Sequence, residues 1–298
     1  MSQPFNSKFK GTGVAVVTPF NTKGEVDYFA FGKLIKHILK GNCEYLVPLG
    51  TTGESATLSL KEKQQVLDFV VRQVDGKAPI VLGLGGNNTQ EIINSFKEFN
   101  FKGVDAILSV SPSYNKPTQQ GIYEHYKLIS KASPVPIILY NVPSRTASNI
   151  SAETALRLAH DFKNIIGIKE ASGNVEQCMF IIKNKPANFL LISGDDTLAL
   201  PLISAGADGV ISVVANAYPK QFSSMVRNAL KGDFAKARKL HYQLLDVIPL
   251  LFMEGNPSGI KTLLQIINIC SENVRMPLLA SSKNLRKALV EFNTTLKI

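Results

Sequence analysis

Cysteine is scarce in this sequence. Cys43, Cys178 and Cys270 lie far apart, are odd in number, and include no C-x-x-C pair. That spacing builds neither a disulfide framework nor a zinc site, so reduced, mostly buried thiols are expected. Histidine is also sparse. His37, His125, His160 and His241 each sit singly in a stretch of helical period, and no H-E-x-x-H occurs, which argues against a metal site made from them. The chain lacks an apolar run of about eighteen residues, the length that spans a bilayer, so no membrane partner is expected. The first residues, MSQPFNSKFKGTG, lack the apolar core of a secretory signal. A cytoplasmic location is the resulting expectation.

The charge is strongly one-sided, at +10 with a pI near 9.4. Clustered basicity points to nucleic acid. Here the lysines are spread, often one per helical stretch, with no long basic run and no aromatic-basic signature. A solvated basic surface that gathers anionic substrates is expected, and nucleic acid is not expected as a partner. The 298 residues, 45% of them hydrophobic, are enough for a large core in one big domain or two smaller ones.

What the sequence does contain is one long alternation. Short β-branched runs, at 13–19, 44–50, 79–85, 105–111, 136–142, 165–170, 189–195 and 208–214, alternate with stretches of helical period. Those stretches fall at 27–40, 60–74, 89–100, 119–132, 151–160, 174–184, 197–206 and 219–232. In the first, Phe31, Leu34, Ile35 and Ile38 share one face. The runs are apolar almost throughout, as in a parallel sheet covered on both faces. Eight consecutive βα units with short links predict an α/β fold, a closed (β/α)8 TIM barrel over residues 1–232 that carries the active site. The alternative, an open doubly wound sheet, lacks support because GLGGNN (83–88) has Asn88 where a dinucleotide fingerprint needs its third glycine. Neither a Walker motif nor G-x-S-x-G occurs. From 233 to 298 the strands stop, and three helices are predicted as a C-terminal appendage, the last starting at Ser281.

Chemistry in such a barrel gathers at the C-terminal ends of the strands. Those ends carry Thr18, Thr51 and Thr52, Ser113 and Tyr114, Tyr140 with Arg145 just beyond, Lys169 and Glu170, and Gly194 with two aspartates. Hydroxyls, one lysine and one arginine share the rim, without histidine or a metal-ligand cluster. An amine enclosed there loses solvation and gives up its proton more readily. The neutral amine can attack a carbonyl and form a Schiff base. Tyrosine can pass protons to such an adduct, and arginine offers a planar fork to a carboxylate. Singly, each residue has an ordinary structural explanation: a salt-bridged lysine, a core tyrosine, threonines in a turn. Glu170 weakens the first of these, because on a strand it points to the face opposite Lys169.

The stretches GTTGESATL (50–58), SPSYNKPTQQGIYEHY (111–126), YNVPSRT (140–146), GIKEASG (167–173) and SGDD (193–196) resemble the pyruvate-dependent class I aldolases and lyases of the dihydrodipicolinate synthase/N-acetylneuraminate lyase group. The likeness covers nearly the whole chain. It implies that Lys169 condenses with pyruvate. It implies that one hydroxyl of Thr51 and Thr52 joins a proton relay while the other helps hold the pyruvate carboxylate. Tyr140 would shuttle protons beside the imine, and Tyr114 would complete the relay from a neighbouring subunit. Arg145 would take the carboxylate of the aldehyde substrate, and Gly194 and Ile211 would line the pocket through their backbones. The implied reaction joins pyruvate to L-aspartate 4-semialdehyde, giving 4-hydroxy-tetrahydrodipicolinate for diaminopimelate and lysine synthesis, with no metal or organic cofactor. A homotetramer, a dimer of dimers, is the implied assembly.

Arg145 favours this activity over the sister N-acetylneuraminate or 2-keto-3-deoxy sugar acid lyases, whose equivalent segment differs. Members inhibited by lysine often carry an aromatic residue where Ser113 stands and other side chains at the positions of Leu60 and Lys63. Weak or absent lysine feedback is therefore expected, although Asn87 and Glu91 match the feedback pattern. The segment GNPSGIK (255–261) departs from the commonest family version, a difference expected to bear only on helix packing and assembly. A barrel that has lost its chemistry is a further possibility, opposed by the intact lysine and relay.

Overall fold

The computed structural model describes residues 5–296; the ends of the two expected segments, 1–4 and 297–298, lie outside the described residues. Eight parallel strands are present: β1 (Gly11–Ala15), β2 (Tyr45–Val47), β3 (Val81–Gly83), β4 (Ala106–Val110), β5 (Ile137–Asn141), β6 (Ile165–Glu170), β7 (Leu190–Ser193) and β8 (Gly209–Ser212). The helices between them are α1 (Tyr28–Lys40), α2 (Leu60–Val74), α3 (Thr89–Glu98), α4 (Gln119–Ala132), the short α5 (Pro143–Thr146), α6 (Ala152–Asp161), α7 (Val175–Asn184), α8 (Ala199–Ser204) and α9 (Pro219–Leu230). Side-chain N-caps start most of these helices, such as Asp27 on α1 and the Ser59–Glu62 capping box on α2.

The strands pair in the order β2-β1-β8-β7-β6-β5-β4-β3. Between β2 and β3 the ladder shrinks to a bridge at Leu46 and Ile80, with Leu46 N donating to Pro79 O (3.0 Å) and Gly83 N to Pro48 O (2.9 Å). Pro48 and Pro79 have no N–H to donate, which keeps this seam short while still closing the barrel. The same chemistry explains why the apolar run 44–50 is longer than the strand it contains. The first strand begins two residues earlier than the apolar run suggests, because Gly11 and Thr12 already pair with β8.

Two apolar clusters divide the core. The outward faces of the strands pack against the helices. The inward faces form a second cluster, including Ala15, Val47, Leu108, Ile138, Ile192 and Ile211. Phe9 meets the Tyr45 ring edge-on inside it, with centroids 5.8 Å apart. A Cβ on Gly13 would fall 2.2 Å from the Tyr45 ring, so only glycine admits that tyrosine.

β6 carries an irregularity on which the site depends. Ile137 pairs with Ile165, but Ile138 pairs with Gly167, leaving Ile166 as an extra residue. Ile166 belongs to the inward cluster. Strict alternation from there would turn Lys169 outward; the bulge shifts the phase by one and turns it inward, directly opposite Tyr140.

The C-terminal segment forms four helices rather than the expected three: α10 (Phe234–Leu244), α11 (Val247–Phe252), α12 (Ser258–Ile266) and α13 (Lys283–Thr295). Pro249 has no N–H for the carbonyl four residues back, which separates α11 from α10. The last helix is capped by Ser282, whose hydroxyl accepts from Leu285 N at 3.2 Å, one residue beyond the expected start at Ser281.

Candidate active site

A cavity of about 420 Å³ opens at the C-terminal ends of the strands. Thr51, Thr52, Tyr140, Arg145, Lys169 and Gly194 all line it. Lys169 is buried, at 6% exposure, and among the described residues its Nζ has no hydrogen bond or ion pair. It lies over the face of the Tyr140 ring, 4.3 Å from the centroid. Glu170 points the other way, as alternation requires. Its carboxylate accepts from Asn141 Nδ2 (3.0 and 3.1 Å), Gln177 Nε2 (2.7 Å) and Ser172 N (2.9 Å). The neighbouring carboxylate is thus fully occupied outside the barrel and leaves the amine uncompensated within.

Gly194 fits closely against this lysine. A Cβ there would lie 2.5 Å from Ala171 Cβ and 3.1 Å from Lys169 Cε. Next to it, Asp196 is buried and accepts from Val213 N and Val214 N, each at 3.0 Å. Burial pushes its carboxyl up to about 6, against the pull of those N–H groups and of Ser212.

Thr51 and Thr52 occupy a single 3-10 turn, Thr51–Gly53. The turn is held from both sides. Thr18 Oγ1 donates to Gly53 O at 2.7 Å, and Asn256 Nδ2 donates to Thr52 Oγ1 at 2.9 Å. Glu54 follows in the left-handed region at φ 53°. Its buried carboxylate is bound by Lys261 Nζ and by Arg275 N (2.9 Å). Lys261 is completely buried, also donates to Asn273 O (2.8 Å), and sits 4.2 Å from the centre of the Phe20 ring. Burial lowers its pKa, and Glu54 opposes that shift.

Asn256 and Lys261 both lie in the segment expected to bear only on packing and assembly. Ile248, Pro249 and Phe252 of α11 also line the cavity. The cavity is therefore walled by residues of the C-terminal segment, 233–298, as well as by the barrel of residues 1–232 that was expected to carry the active site. Sequence reading missed Asn256 and the Glu54–Lys261 pair, because each joins positions about two hundred residues apart.

Arg145 sits on α5, exposed at the cavity rim, and among the described residues no carboxylate pairs with it. Two of the residues named from the sequence do not line this cavity, and one of them, Tyr114, was expected to serve a neighbouring subunit rather than its own. Ile211 is buried in the inward cluster and is not part of the lining. Tyr114 is 89% exposed, with φ 69°, and its side chain lies outside the cavity of its own chain.

A second cavity, about 480 Å³, shares Thr51 and Tyr140 with the first and is lined by Leu60, Lys63, Asn87 and Glu91. The remaining nucleophile and base candidates lie in structural roles. All three cysteines are buried and unpaired, and burial pushes the Cys178 and Cys270 thiols up to about 12. His125 is held down at about 4 by burial, with Nδ1 2.8 Å from Thr89 Oγ1. Among the described residues, no group of three or more His, Cys, Asp or Glu side chains could hold a metal ion, and no helix is long and apolar enough to cross a membrane.

Known proteins resemble this chain throughout. The chain is 50% identical to the 4-hydroxy-tetrahydrodipicolinate synthase of Flavobacterium psychrophilum over 97% of its own length and 98% of the relative's. The crystal structure of dihydrodipicolinate synthase from Aquifex aeolicus superimposes with a TM-score of 0.92 at 40% identity, covering 97% of this chain and 100% of that one. That of the chloride-inhibited dihydrodipicolinate synthase from Acinetobacter baumannii, complexed with pyruvate, matches with a TM-score of 0.93 at 38% identity, covering 96% and 98%. The model of the dihydrodipicolinate synthetase family matches residues 8–296, and the chain belongs to that family.

Proposed function

We propose that the cavity is a Schiff-base active site that condenses pyruvate with L-aspartate 4-semialdehyde to give 4-hydroxy-tetrahydrodipicolinate. The observation that carries this reading is the inward, unpaired amine of Lys169 between Tyr140 and Gly194, with two threonines and a free guanidinium on the same cavity.

In this scheme the neutral amine of Lys169 adds to the C2 carbonyl of pyruvate, and loss of water forms the imine. The imine draws electrons from the methyl carbon, which loses a proton to give the enamine. The enamine carbon attacks the aldehyde and forms the new carbon–carbon bond, while the aldehyde oxygen takes up a proton. The amine of the second substrate then adds at the imine carbon, closing the ring and releasing Lys169. The imine is itself the electron sink, so these steps call on neither metal nor organic cofactor.

Proton traffic is assigned to Tyr140, with Thr51 beside it. Thr52 holds the pyruvate carboxylate, and the Arg145 guanidinium receives the carboxylate of the semialdehyde. Tyr114 is exposed and lines neither of the two cavities described above, which supports its serving the cavity of a neighbouring subunit in a homotetramer built as a dimer of dimers. A fully active monomer in solution would refute this assignment. A cytoplasmic setting fits the three cysteines left unpaired.

The test is aldehyde preference. With pyruvate present, turnover with L-aspartate 4-semialdehyde should exceed that with N-acetylmannosamine or glyceraldehyde by about a hundredfold or more, because neither of these aldehydes carries a carboxylate for Arg145. Comparable turnover with a polyol aldehyde would reassign the chain to the sister lyases.

A further inference from the structure

Asn256 lies between α11 and α12, outside the eight βα units, yet it lines the cavity beside Thr52. It is 7% exposed. Its Nδ2 donates to Thr52 Oγ1, and its Oδ1 is buried without a partner among the described residues. The Thr52 hydroxyl accepts that bond and donates to no described group.

We propose that Asn256 is a positioning residue that sets the direction of the Thr52 hydroxyl, so that its proton faces the carboxylate of the bound 2-oxo acid. This rests on the Schiff-base reading above. A hydroxyl has one proton and two lone pairs. With an amide N–H on one lone pair, the proton turns elsewhere, and no described residue offers it an acceptor. The cavity beside it is where an anionic substrate supplies one. The backbone of the turn is fixed independently, because Lys261 grips Glu54 from the same segment of chain. The rotation of the hydroxyl is then the remaining freedom, and Asn256 removes it.

The side chain must donate for this to work. A carboxylate at 256 would accept the Thr52 proton and face the substrate carboxylate with like charge. An amide turned the other way, with Oδ1 toward Thr52, would likewise take that proton and leave only lone pairs for the anion.

Asn256→Asp, Asn256→Ala, Thr52→Val and the Ala/Val double variant test the proposal, with folding followed by circular dichroism and melting. Borohydride trapping of wild type with pyruvate comes first. If Lys169 is not labelled there, the Schiff-base reading fails, independently of Asn256. Given labelling, Asn256→Asp should raise KM for pyruvate at least about tenfold near pH 8 while kcat changes by less than about threefold. That penalty should shrink as the pH falls towards about 4, where the carboxyl takes up its proton and regains a donor. Asn256→Ala should add little to KM once Thr52→Val is present. If the aspartate variant does not fold, the alanine cycle decides alone. KM for pyruvate within about twofold of wild type in the variants, or equal effects with and without the Thr52 hydroxyl, would overturn the proposal.

Discussion

Tyr140 and Lys169 are direct cross-strand partners on β5 and β6, and the lysine Nζ lies over the tyrosine ring, 4.3 Å from its centroid. The Tyr140 hydroxyl has no hydrogen-bond partner among the described residues, so it is available to a bound adduct. Tyr140→Phe keeps the ring beneath the amine and removes only the hydroxyl. Steady-state assays should show kcat lowered by about 10²–10⁴, the usual range for losing a positioned proton donor, with little change in melting temperature. A kcat within about threefold of wild type would move proton transfer to another group.

Arg145 has no carboxylate partner among the described residues, and in the proposed scheme it receives the second substrate. Arg145→Ala should raise KM for the semialdehyde by about ten- to a hundredfold, the worth of a charged hydrogen bond, and leave trapping with pyruvate unchanged. Equal loss of both functions would show that the arginine serves the first half-reaction instead.

The Glu54–Lys261 pair is completely buried and braces the turn that carries Thr51 and Thr52. Removing one partner strands the other charge in the interior. Lys261→Met should therefore cost about 3–5 kcal/mol, measured as a lower urea midpoint with unchanged slope. A shift below about 1 kcal/mol would mean that water or another group compensates the carboxylate.

Lys63 lines the second cavity together with Asn87 and Glu91. A lysine ligand there would bring its ammonium close to a like charge. Ser113, beside Tyr114, provides no aromatic surface for it. Titration of activity with lysine should show no half-inhibition at submillimolar concentrations. Half-inhibition in that range would show that the cavity accommodates both cations.

The barrel was legible because its evidence is local. Eight β-branched runs alternate with helical periods, and each apolar face is written in adjacent residues, as in Phe31, Leu34, Ile35 and Ile38 of α1. The rim was legible because the strand ends follow from the runs. Three features were not. The inward aim of Lys169 depends on one unpaired residue, Ile166, and a two-residue period does not reveal which residue a ladder skips. Asn256 and Lys261 read as parts of an appendage because their partners, Thr52 and Glu54, are over two hundred positions away. The break at Pro249 was visible in the sequence, but the near-continuous apolar pattern around it concealed a second helix.

The most direct measurement is borohydride reduction in the presence of pyruvate, followed by intact mass and peptide mapping. One pyruvate-derived adduct per chain is expected, located on Lys169, and it should be absent without pyruvate. A folded protein that gains no adduct, or gains it on another lysine, would contradict the Schiff-base mechanism at its first step.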